Sequence, residues 1–197
     1  HTRCREVSWG SEMCIRDRNT AGDKRVILYK YNQVSGEISF CAHGATTITG
    51  QKDAAHNVSL YGYGMRFYGG NLADNISVAG HTIMAYGLGG DDIMTTNGYN
   101  TEMRGGDGND TLTMNTNTNR IYGDDGDDTI NLNVANNQII NGGNGNDTYN
   151  INAQVTNLSD TGGDNIYNVN ANDINISGGP GADTFYLSGN NNTVLGA

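Results

Sequence analysis

The sequence is poor in the residues that build most globular cores. Its 197 residues include one proline, one tryptophan, three phenylalanines and three cysteines, and only 36% of the residues are hydrophobic. No long amphipathic helix pattern occurs, so a large doubly wound α/β core is not expected. Apolar runs extend over a few residues only, so the sequence predicts no membrane-spanning segment.

Positive charge is also scarce. The chain has 11 Lys and Arg residues against 21 Asp and Glu residues, for a formal charge of −10. Nucleic-acid binding depends on cationic side chains that meet phosphates, so no nucleic-acid partner is expected. Glycine is abundant, with 29 residues, but the absence of a G-X-Y period excludes collagen.

The first eighteen residues share no periodicity with the rest of the chain. Residues 7–18, VSWGSEMCIRDR, resemble translated sequencing-adapter read-through. We therefore predict that residues 1–18 are not native to the protein; an irregular native arm is the alternative. Without this segment Cys41 would be a lone thiol, and no cysteine spacing typical of a metal site is present.

Six-residue loops recur at intervals of about eighteen residues. The four clearest end at Asp110, Asp128, Asp147 and Asp183, which are 18, 19 and 36 residues apart. The position left out is Asn165, which ends the degenerate loop DTGGDN. Steps of 18 toward the N-terminus reach the weaker loop ends Asp92, Asp74 and His56. A fixed period of this length is the signature of a solenoid, in which each repeat stacks on the next.

Apolar residues align on the same period. Two and four positions after each loop, and again eleven or twelve positions after it, apolar residues alternate with polar ones as in a half-buried strand. The three columns are Val58, Ile76, Met94, Leu112, Ile130, Tyr149, Tyr167 and Phe185; Leu60, Val78, Thr96, Met114, Leu132, Ile151, Val169 and Leu187; and Phe67, Ala85, Met103, Ile121, Ile140, Leu158, Ile176 and Val194. The pattern predicts an all-β fold, a parallel β-roll or β-solenoid. We expect about nine coils, which include residues 38–49 and, more loosely, residues 26–36.

The loop sequences resemble a known calcium-binding repeat. Residues 105–113 read GGDGNDTLT and residues 142–150 read GGNGNDTYN, similar to the nonapeptide G-G-x-G-x-D-x-U-x of the repeats-in-toxin (RTX, haemolysin-type) family. The resemblance is good over residues 87–197 and weak over 37–86, so we divide the chain into degenerate coils at 19–86 and RTX-like coils at 87–197. It implies Ca²⁺ ions between loops one coil apart on the same edge. Only one of the two loops in each coil keeps the motif, which indicates one row of ions.

The loop residues suit calcium for an independent reason. Ca²⁺ takes six to eight oxygen ligands, which carboxylates and the carbonyls of a Gly-rich loop supply. Residues 87–197 carry 14 acidic and 2 basic residues, so stacked carboxylates would repel one another without a cation. The predicted calcium-binding residues are Gly87, Gly89, Asp92, Gly105, Asp107, Gly108, Asp110, Gly123, Asp125, Gly126, Asp128, Gly142, Asn144, Gly145, Asp147, Asn165, Gly178, Gly181 and Asp183.

These candidates differ in what they offer an ion. Asn165 can supply only a neutral oxygen, so we expect its site to be weaker. His56 and Asp74 are not expected to bind calcium. The alternative that Asp and Gly only form turns does not explain why the aspartates fall on one lattice. An EF-hand would need flanking helices and a Glu at position twelve of the loop, and neither is present.

Outward-facing Thr and Asn residues also form columns. They can be hydrogen-bonded ladders along the stack, which we favour, or a flat face that binds ice, a glycan or another chain. The main columns are Thr111, Thr129, Thr148 and Thr184; Thr113, Asn131, Asn150 and Asn168; and Asn115, Asn133, Asn152 and Asn170. No catalytic motif accompanies them, so no enzymatic activity is predicted for this segment.

The sequence thus predicts a calcium-binding β-solenoid segment of a larger secreted bacterial protein. The next loop would start near residue 196, so we expect a fragment of a longer array, with calcium and the remainder of that polypeptide as partners. The resemblance implies that folding is coupled to Ca²⁺. Two alternatives stay open: an adhesin-type or ice- or glycan-binding spacer with a cell-surface partner, and the repeat tail of a secreted hydrolase or epimerase.

Overall fold

The computed structural model describes residues 12–18, 24–31, 36–117, 119–134, 139–154 and 158–195. This part of the chain contains eighteen strands and no helix. The strands are β1 (Glu12–Arg18), β2 (Lys24–Tyr31), β3 (Ile38–Thr49), β4 (Asn57–Gly70), β5 (Asn75–Val78), β6 (Met84–Gly89), β7 (Ile93–Thr96), β8 (Glu102–Asp107), β9 (Thr111–Met114), β10 (Arg120–Asp125), β11 (Thr129–Leu132), β12 (Ile139–Asn144), β13 (Thr148–Ile151), β14 (Leu158–Ser159), β15 (Ile166–Val169), β16 (Asn175–Ser177), β17 (Thr184–Leu187) and β18 (Thr193–Leu195). Over the described ranges, no helix is long and apolar enough to cross a membrane.

The strands form a parallel β-solenoid of about eight turns, which confirms the predicted fold. Strands β5, β7, β9, β11, β13, β15 and β17 make one side of a continuous 16-stranded sheet, strands β6, β8, β10, β12 and β14 make the other side, and β16 and β18 form a separate two-stranded sheet. The long strand β4 joins the two sides, because residues 57–60 pair with β5 and residues 66–70 pair with β6. From β4 onward each strand therefore pairs in parallel with its equivalent one coil away, a step of 18 or 19 residues.

The N-terminal segment departs from the predicted coils. Strand β2 pairs antiparallel with β3, and β1 pairs antiparallel with β2, so the expectation that residues 26–36 form a further coil is wrong. Only six residues separate β2 from β3, which is enough to reverse the chain but too few for the crossover that a parallel pair needs. Cys41 is disulfide-bonded in the full chain; the expectation of a lone thiol concerned a chain without residues 1–18.

Two other predictions fall partly on residues outside the described ranges. These are residues 1–11 of the predicted non-native segment and residues 196–197, where the next loop was expected to begin.

The core lies between the two sides of the sheet. The predicted inward columns are buried through the central coils, and the strands alternate buried and less buried residues as expected for a sheet with one face covered. Near the C-terminal end Phe185, Leu158 and Val194 are only partly buried, and Leu187 is 45% exposed. Strand β17 is the last of its sheet in the described chain, so its residues lack a neighbouring coil on one side.

Two of the three outward columns are hydrogen-bonded ladders, as favoured from the sequence. In six places the side-chain amide of an Asn donates to the amide or hydroxyl oxygen one coil earlier. The bonds are Asn115 to Asn97 at 3.0 Å, Asn133 to Asn115 at 2.8 Å, Asn152 to Asn133 at 3.1 Å, Asn131 to Thr113 at 3.3 Å, Asn150 to Asn131 at 2.8 Å and Asn168 to Asn150 at 2.9 Å. These bonds tie successive coils together on the solvent side.

Candidate metal centre

A row of buried aspartates runs along one edge of the solenoid. Asp92, Asp110, Asp128 and Asp147 close the loops that link one side of the sheet to the other, and each is at most 1% exposed. In every case carboxylate Oδ1 accepts the backbone N–H of the equivalent residue one coil earlier. The donors and distances are Asp74 at 2.6 Å, Asp92 at 2.7 Å, Asp110 at 2.7 Å and Asp128 at 2.8 Å. The loop sequence thus places four carboxylates in one column, at the spacing of the coils.

The second oxygen of each of these carboxylates has no partner. Oδ2 of Asp92, Asp110, Asp128 and Asp147 is buried and makes no hydrogen bond to the described protein. A buried carboxylate oxygen without a partner carries a free-energy cost, because it has lost its hydrogen bonds to water and has gained none in the protein. A proton or a cation at Oδ2 would remove this cost.

Glycine at the first loop position leaves room for Oδ2 of the aspartate that closes the loop. A Cβ on Gly87 would overlap Asp92 Oδ2 and lie 2.6 Å from the carbonyl oxygen of Gly105. A Cβ on Gly105 would likewise overlap Asp110 Oδ2 and lie 2.7 Å from the carbonyl oxygen of Gly123. A carboxylate oxygen and a main-chain oxygen of the next loop therefore border the same small space, an all-oxygen donor set that suits a hard cation.

Burial shifts the acid–base equilibria of these carboxylates. It raises the pKa of Asp92 to about 7, of Asp110 to about 6, of Asp128 to about 8 and of Asp147 to about 7. Neighbouring acidic groups add to the effect, and the hydrogen bond from the preceding backbone N–H opposes it. Near neutral pH the charged form of the row is therefore destabilised unless a positive charge accompanies it.

The row changes character at its N-terminal end. Asp74 Oδ1 accepts the backbone N–H of His56 at 2.6 Å and lies 2.8 Å from its ring Nδ1, while Oδ2 accepts the N–H of Gly70 at 3.1 Å. His56 Nε2 in turn accepts the N–H of Gln51 at 3.0 Å. The Asp74 carboxylate is thus fully partnered by protein groups.

At the other end Asn165 takes the place of an aspartate. Its Oδ1 accepts the N–H of Asp147 at 2.7 Å, and its Nδ2 is buried without a partner. The single amide oxygen, which the sequence analysis offered to a weaker calcium site, is therefore already used. Asn165 presents an N–H donor where the aspartates present an oxygen.

The last predicted loop keeps the same arrangement in a more open setting. Asp183 is half-buried, and its Oδ1 accepts the N–H of Asn165 at 3.0 Å. A Cβ on Gly178 would overlap Asp183 Oδ2. This loop therefore continues the column beyond Asn165.

The third loop position does not join the buried row. Asp107, Asp125 and Asn144 are exposed, and Asn144 Nδ2 donates to Asp125 Oδ1 at 2.7 Å. Gly89 holds the same position in its loop, and a Cβ there would meet nothing closer than 3.6 Å. The structure thus separates these four predicted calcium-binding residues from the aspartate column.

Glycine at the fourth loop position has a structural requirement of its own. Gly108, Gly126, Gly145 and Gly181 have φ values of 135°, 133°, 126° and 138°, in the region that L side chains rarely adopt. A Cβ at each would overlap the carbonyl oxygen of the loop one coil earlier. These glycines allow the loops to stack closely.

Sequence reasoning missed two residues beside the row. Tyr149 was assigned to the core, but its phenol oxygen accepts the N–H of Gly142 at 2.7 Å and donates to Asp160 Oδ2. The signal for Asp160 was visible, since it stands at the first loop position where the clear loops have glycine. Over the described residues there is no group of three His, Cys, Asp or Glu side chains that could hold a metal ion. Any ion in the row therefore depends on main-chain or phenol oxygens as well.

Comparisons of the chain with models of known protein families, with curated proteins and with solved structures found no match. The likeness to a calcium-binding repeat therefore depends on the loop residues alone.

Proposed function

We propose that this chain is a calcium-binding β-solenoid segment of a larger secreted bacterial protein, and that the coils from residue 87 onward fold with Ca²⁺. The observation that carries the proposal is the row of buried carboxylate oxygens without partners at Asp92, Asp110, Asp128 and Asp147. Four such groups in one column, at one loop position, are too regular to be accidents of packing.

The ligands proposed for each ion come from two loops. The Oδ2 of one aspartate and the carbonyl oxygen of the first glycine of the next loop border each space, as with Asp110 and Gly123. Ca²⁺ requires six to eight oxygens, so further main-chain oxygens or water would complete its shell. A bound cation would also compensate the burial that raises the carboxylate pKa values.

The geometry supports the proposed coupling between binding and folding. The proposed ligands are one coil apart and come together only when the coils stack, so an unfolded chain presents no such site. A ligand that binds only the folded state stabilises it by about 2.7 kcal/mol at one hundred times its Kd. Several ions in a row would multiply this effect.

The proposed coupling of folding to calcium binding also bears on secretion. A chain that requires calcium to fold would stay unfolded where calcium is scarce and fold where it is abundant. This property suits export through a narrow channel and folding outside the cell. The secreted parent is inferred from the resemblance to RTX repeats.

The proposal is tested by measuring folding and binding together. Circular dichroism with Ca²⁺ and with a chelator should show β-structure that depends on calcium, and calorimetry should detect bound Ca²⁺. Asp128→Asn should weaken binding, whereas the matched change Asp107→Asn on the exposed column should leave binding nearly unchanged. Equal β content in both conditions, together with no heat of calcium binding, would refute the proposal.

The outward Thr and Asn face offers less support for a ligand site. The amide groups along it are engaged with one another from coil to coil. This arrangement favours a role in stacking the coils over recognition of ice or a glycan.

A further inference from the structure

The loop at residues 160–165 departs from the repeat in a way that adds a chemical group. Its first position holds Asp160, whereas the loops before and after it begin with Gly142 and Gly178. The strand between the two loops carries Tyr149 in a core column where the three preceding coils have Met, Leu and Ile. Both changes place extra oxygen atoms at the same end of the aspartate row.

The phenol and the new carboxylate are fixed in place. Tyr149 Oη accepts the N–H of Gly142 at 2.7 Å and donates to Asp160 Oδ2. Asp160 Oδ1 accepts the N–H of Gly162 at 2.9 Å. The Tyr149 ring stacks on Tyr167, with the ring centroids 4.8 Å apart. The two oxygens therefore need little rearrangement to act as ligands.

The buried oxygen without a partner on Asp147 points to the same place. Asp147 is fully buried and its Oδ2 has no hydrogen-bond partner. A Cβ on Gly142 would overlap both Asp147 Oδ2 and Tyr149 Oη, so these two oxygens border one space. In the preceding loops a carbonyl oxygen of the next loop borders the corresponding space.

We infer that Asp147, Tyr149 and Asp160 form a distinct cation site at the C-terminal end of the row, in which two carboxylates and a phenol oxygen hold one multivalent cation. The inference rests on the proposed function for Asp147 and adds two ligands that the repeat does not supply. With two carboxylates, this site has one more negative charge than the preceding positions, and a higher ligand charge favours tighter binding of a hard cation. The phenol donates its proton to Asp160 Oδ2 and accepts the N–H of Gly142, which leaves one lone pair of Oη for the ion.

Terbium luminescence gives a direct test on the full chain. Tb³⁺ replaces Ca²⁺ at oxygen sites, and excited tyrosine transfers energy to it only over short distances. Excitation of the tyrosines should give strong Tb³⁺ emission that Ca²⁺ displaces. In Asp160→Asn, which keeps Tyr149 and Tyr167, we expect about tenfold weaker Tb³⁺ binding and the loss of one tight Ca²⁺ equivalent in calorimetry.

The control variants separate the site from its surroundings. Asp164→Asn removes the same charge from an exposed residue of the same loop, whose Oδ1 accepts the N–H of Ala182 at 2.8 Å, and should retain both signals. Tyr149→Phe keeps the stacked ring but lacks the oxygen, so it should lose the same Ca²⁺ equivalent. If Asp160→Asn does not fold, Asp160→Gly restores the residue of the other loops and should lower the affinity of this site to that of the repeated loops.

The outcomes distinguish this inference from the proposed function. Unchanged emission and unchanged Ca²⁺ equivalents in the folded Asp160 and Tyr149 variants would overturn the inference alone. Binding that requires Asp160 but is unaffected by Asp92→Asn and Asp110→Asn would support the inference and count against calcium in the repeated loops. A wild-type chain that binds neither ion would overturn both.

Discussion

The first coils and the central coils have the same backbone arrangement, but the carboxylate that closes the loop has different partners in the two regions. At Asp74 every carboxylate oxygen meets a donor, from His56 or Gly70. At Asp92, one coil later, Oδ1 keeps the equivalent hydrogen bond while Oδ2 has none. Formal charge follows the same division, since residues 87–197 contain 14 acidic and 2 basic residues while the chain before them has a small positive balance. The proposed requirement for a cation therefore lies in the loops from residue 87 onward and not in the solenoid backbone.

The pH dependence of stability should separate the two regions most strongly. Burial raises the pKa values of Asp92, Asp110, Asp128 and Asp147 to between about 6 and about 8. A raised pKa means that the folded state binds protons more tightly than the unfolded state. The stabilisation is complete below the unfolded pKa of about 3.9 and is lost as pH rises through the folded values.

In chelator, protonation of the row should let the coils from residue 87 onward fold at pH 5. The thermal midpoint should then fall by many degrees toward pH 8, where these coils unfold, because four groups titrate together. With excess Ca²⁺ the fall should disappear, since the ion replaces the proton. Hydrogen exchange would assign the effect, with protection lost in residues 93–165 before residues 57–70. A midpoint in chelator that rises over the same pH range would contradict the assignment of these carboxylates.

Removing one carboxylate from each region should give the next largest difference in the calcium dependence of stability. In Asp128→Asn the amide oxygen can still accept the N–H of Asp110, but an N–H₂ group replaces the open Oδ2. We expect a loss of about 3 kcal/mol in the free energy of unfolding at saturating Ca²⁺, the contribution of one well-populated ion. The loss should disappear in chelator. Asp74→Asn should cost a similar amount with or without Ca²⁺, because it disturbs protein hydrogen bonds only, and denaturant unfolding in both conditions would measure the two patterns.

Replacing a glycine by alanine in each of two neighbouring loops tests where the proposed ion lies. Gly105→Ala places a methyl group against Asp110 Oδ2 and 2.7 Å from the carbonyl oxygen of Gly123. We expect a cost of about 1–3 kcal/mol and weaker Ca²⁺ binding. Gly89→Ala meets nothing closer than 3.6 Å and should change stability by less than about 0.5 kcal/mol. Equal effects of the two substitutions on calcium affinity would contradict the position of the proposed ion.

The period of the sequence was sufficient to predict the solenoid and most of its core. Columns such as Ile121 and Ile140 face inward, because strand alternation and an eighteen-residue step together allow only one set of side chains to face the core. The same lattice identified the closing aspartates. It did not show that Asp107 is exposed while Asp110 is buried, since the direction of a loop side chain depends on φ and ψ and not on spacing.

Three further features needed the structure for similar reasons. The amide of Asn165 is oriented by the N–H of Asp147, a contact that exists only after the coils stack. The hydrogen bond from Tyr149 Oη to Asp160 Oδ2 joins strand β13 to the following loop, across the width of the coil. Antiparallel pairing of β2 with β3 reflects a short connection and not a hydrophobic pattern.

A gain of function at Asn165 provides the smallest but most specific test of the difference between regions. Asn165→Asp retains an oxygen for the N–H of Asp147 and replaces the buried N–H₂ group with a second oxygen, so the row would continue from Asp147 to Asp183. In Ca²⁺ the variant should bind one additional ion, with a gain of about 1 kcal/mol or less in stability because the neighbouring loop is partly open. In chelator it should be slightly less stable than the parent, since it adds another buried carboxylate. Calorimetric stoichiometry and unfolding in both conditions would measure this opposite response. A variant that is destabilised equally in both, with no added ion, would show that an open oxygen at this loop position is not what binds the cation.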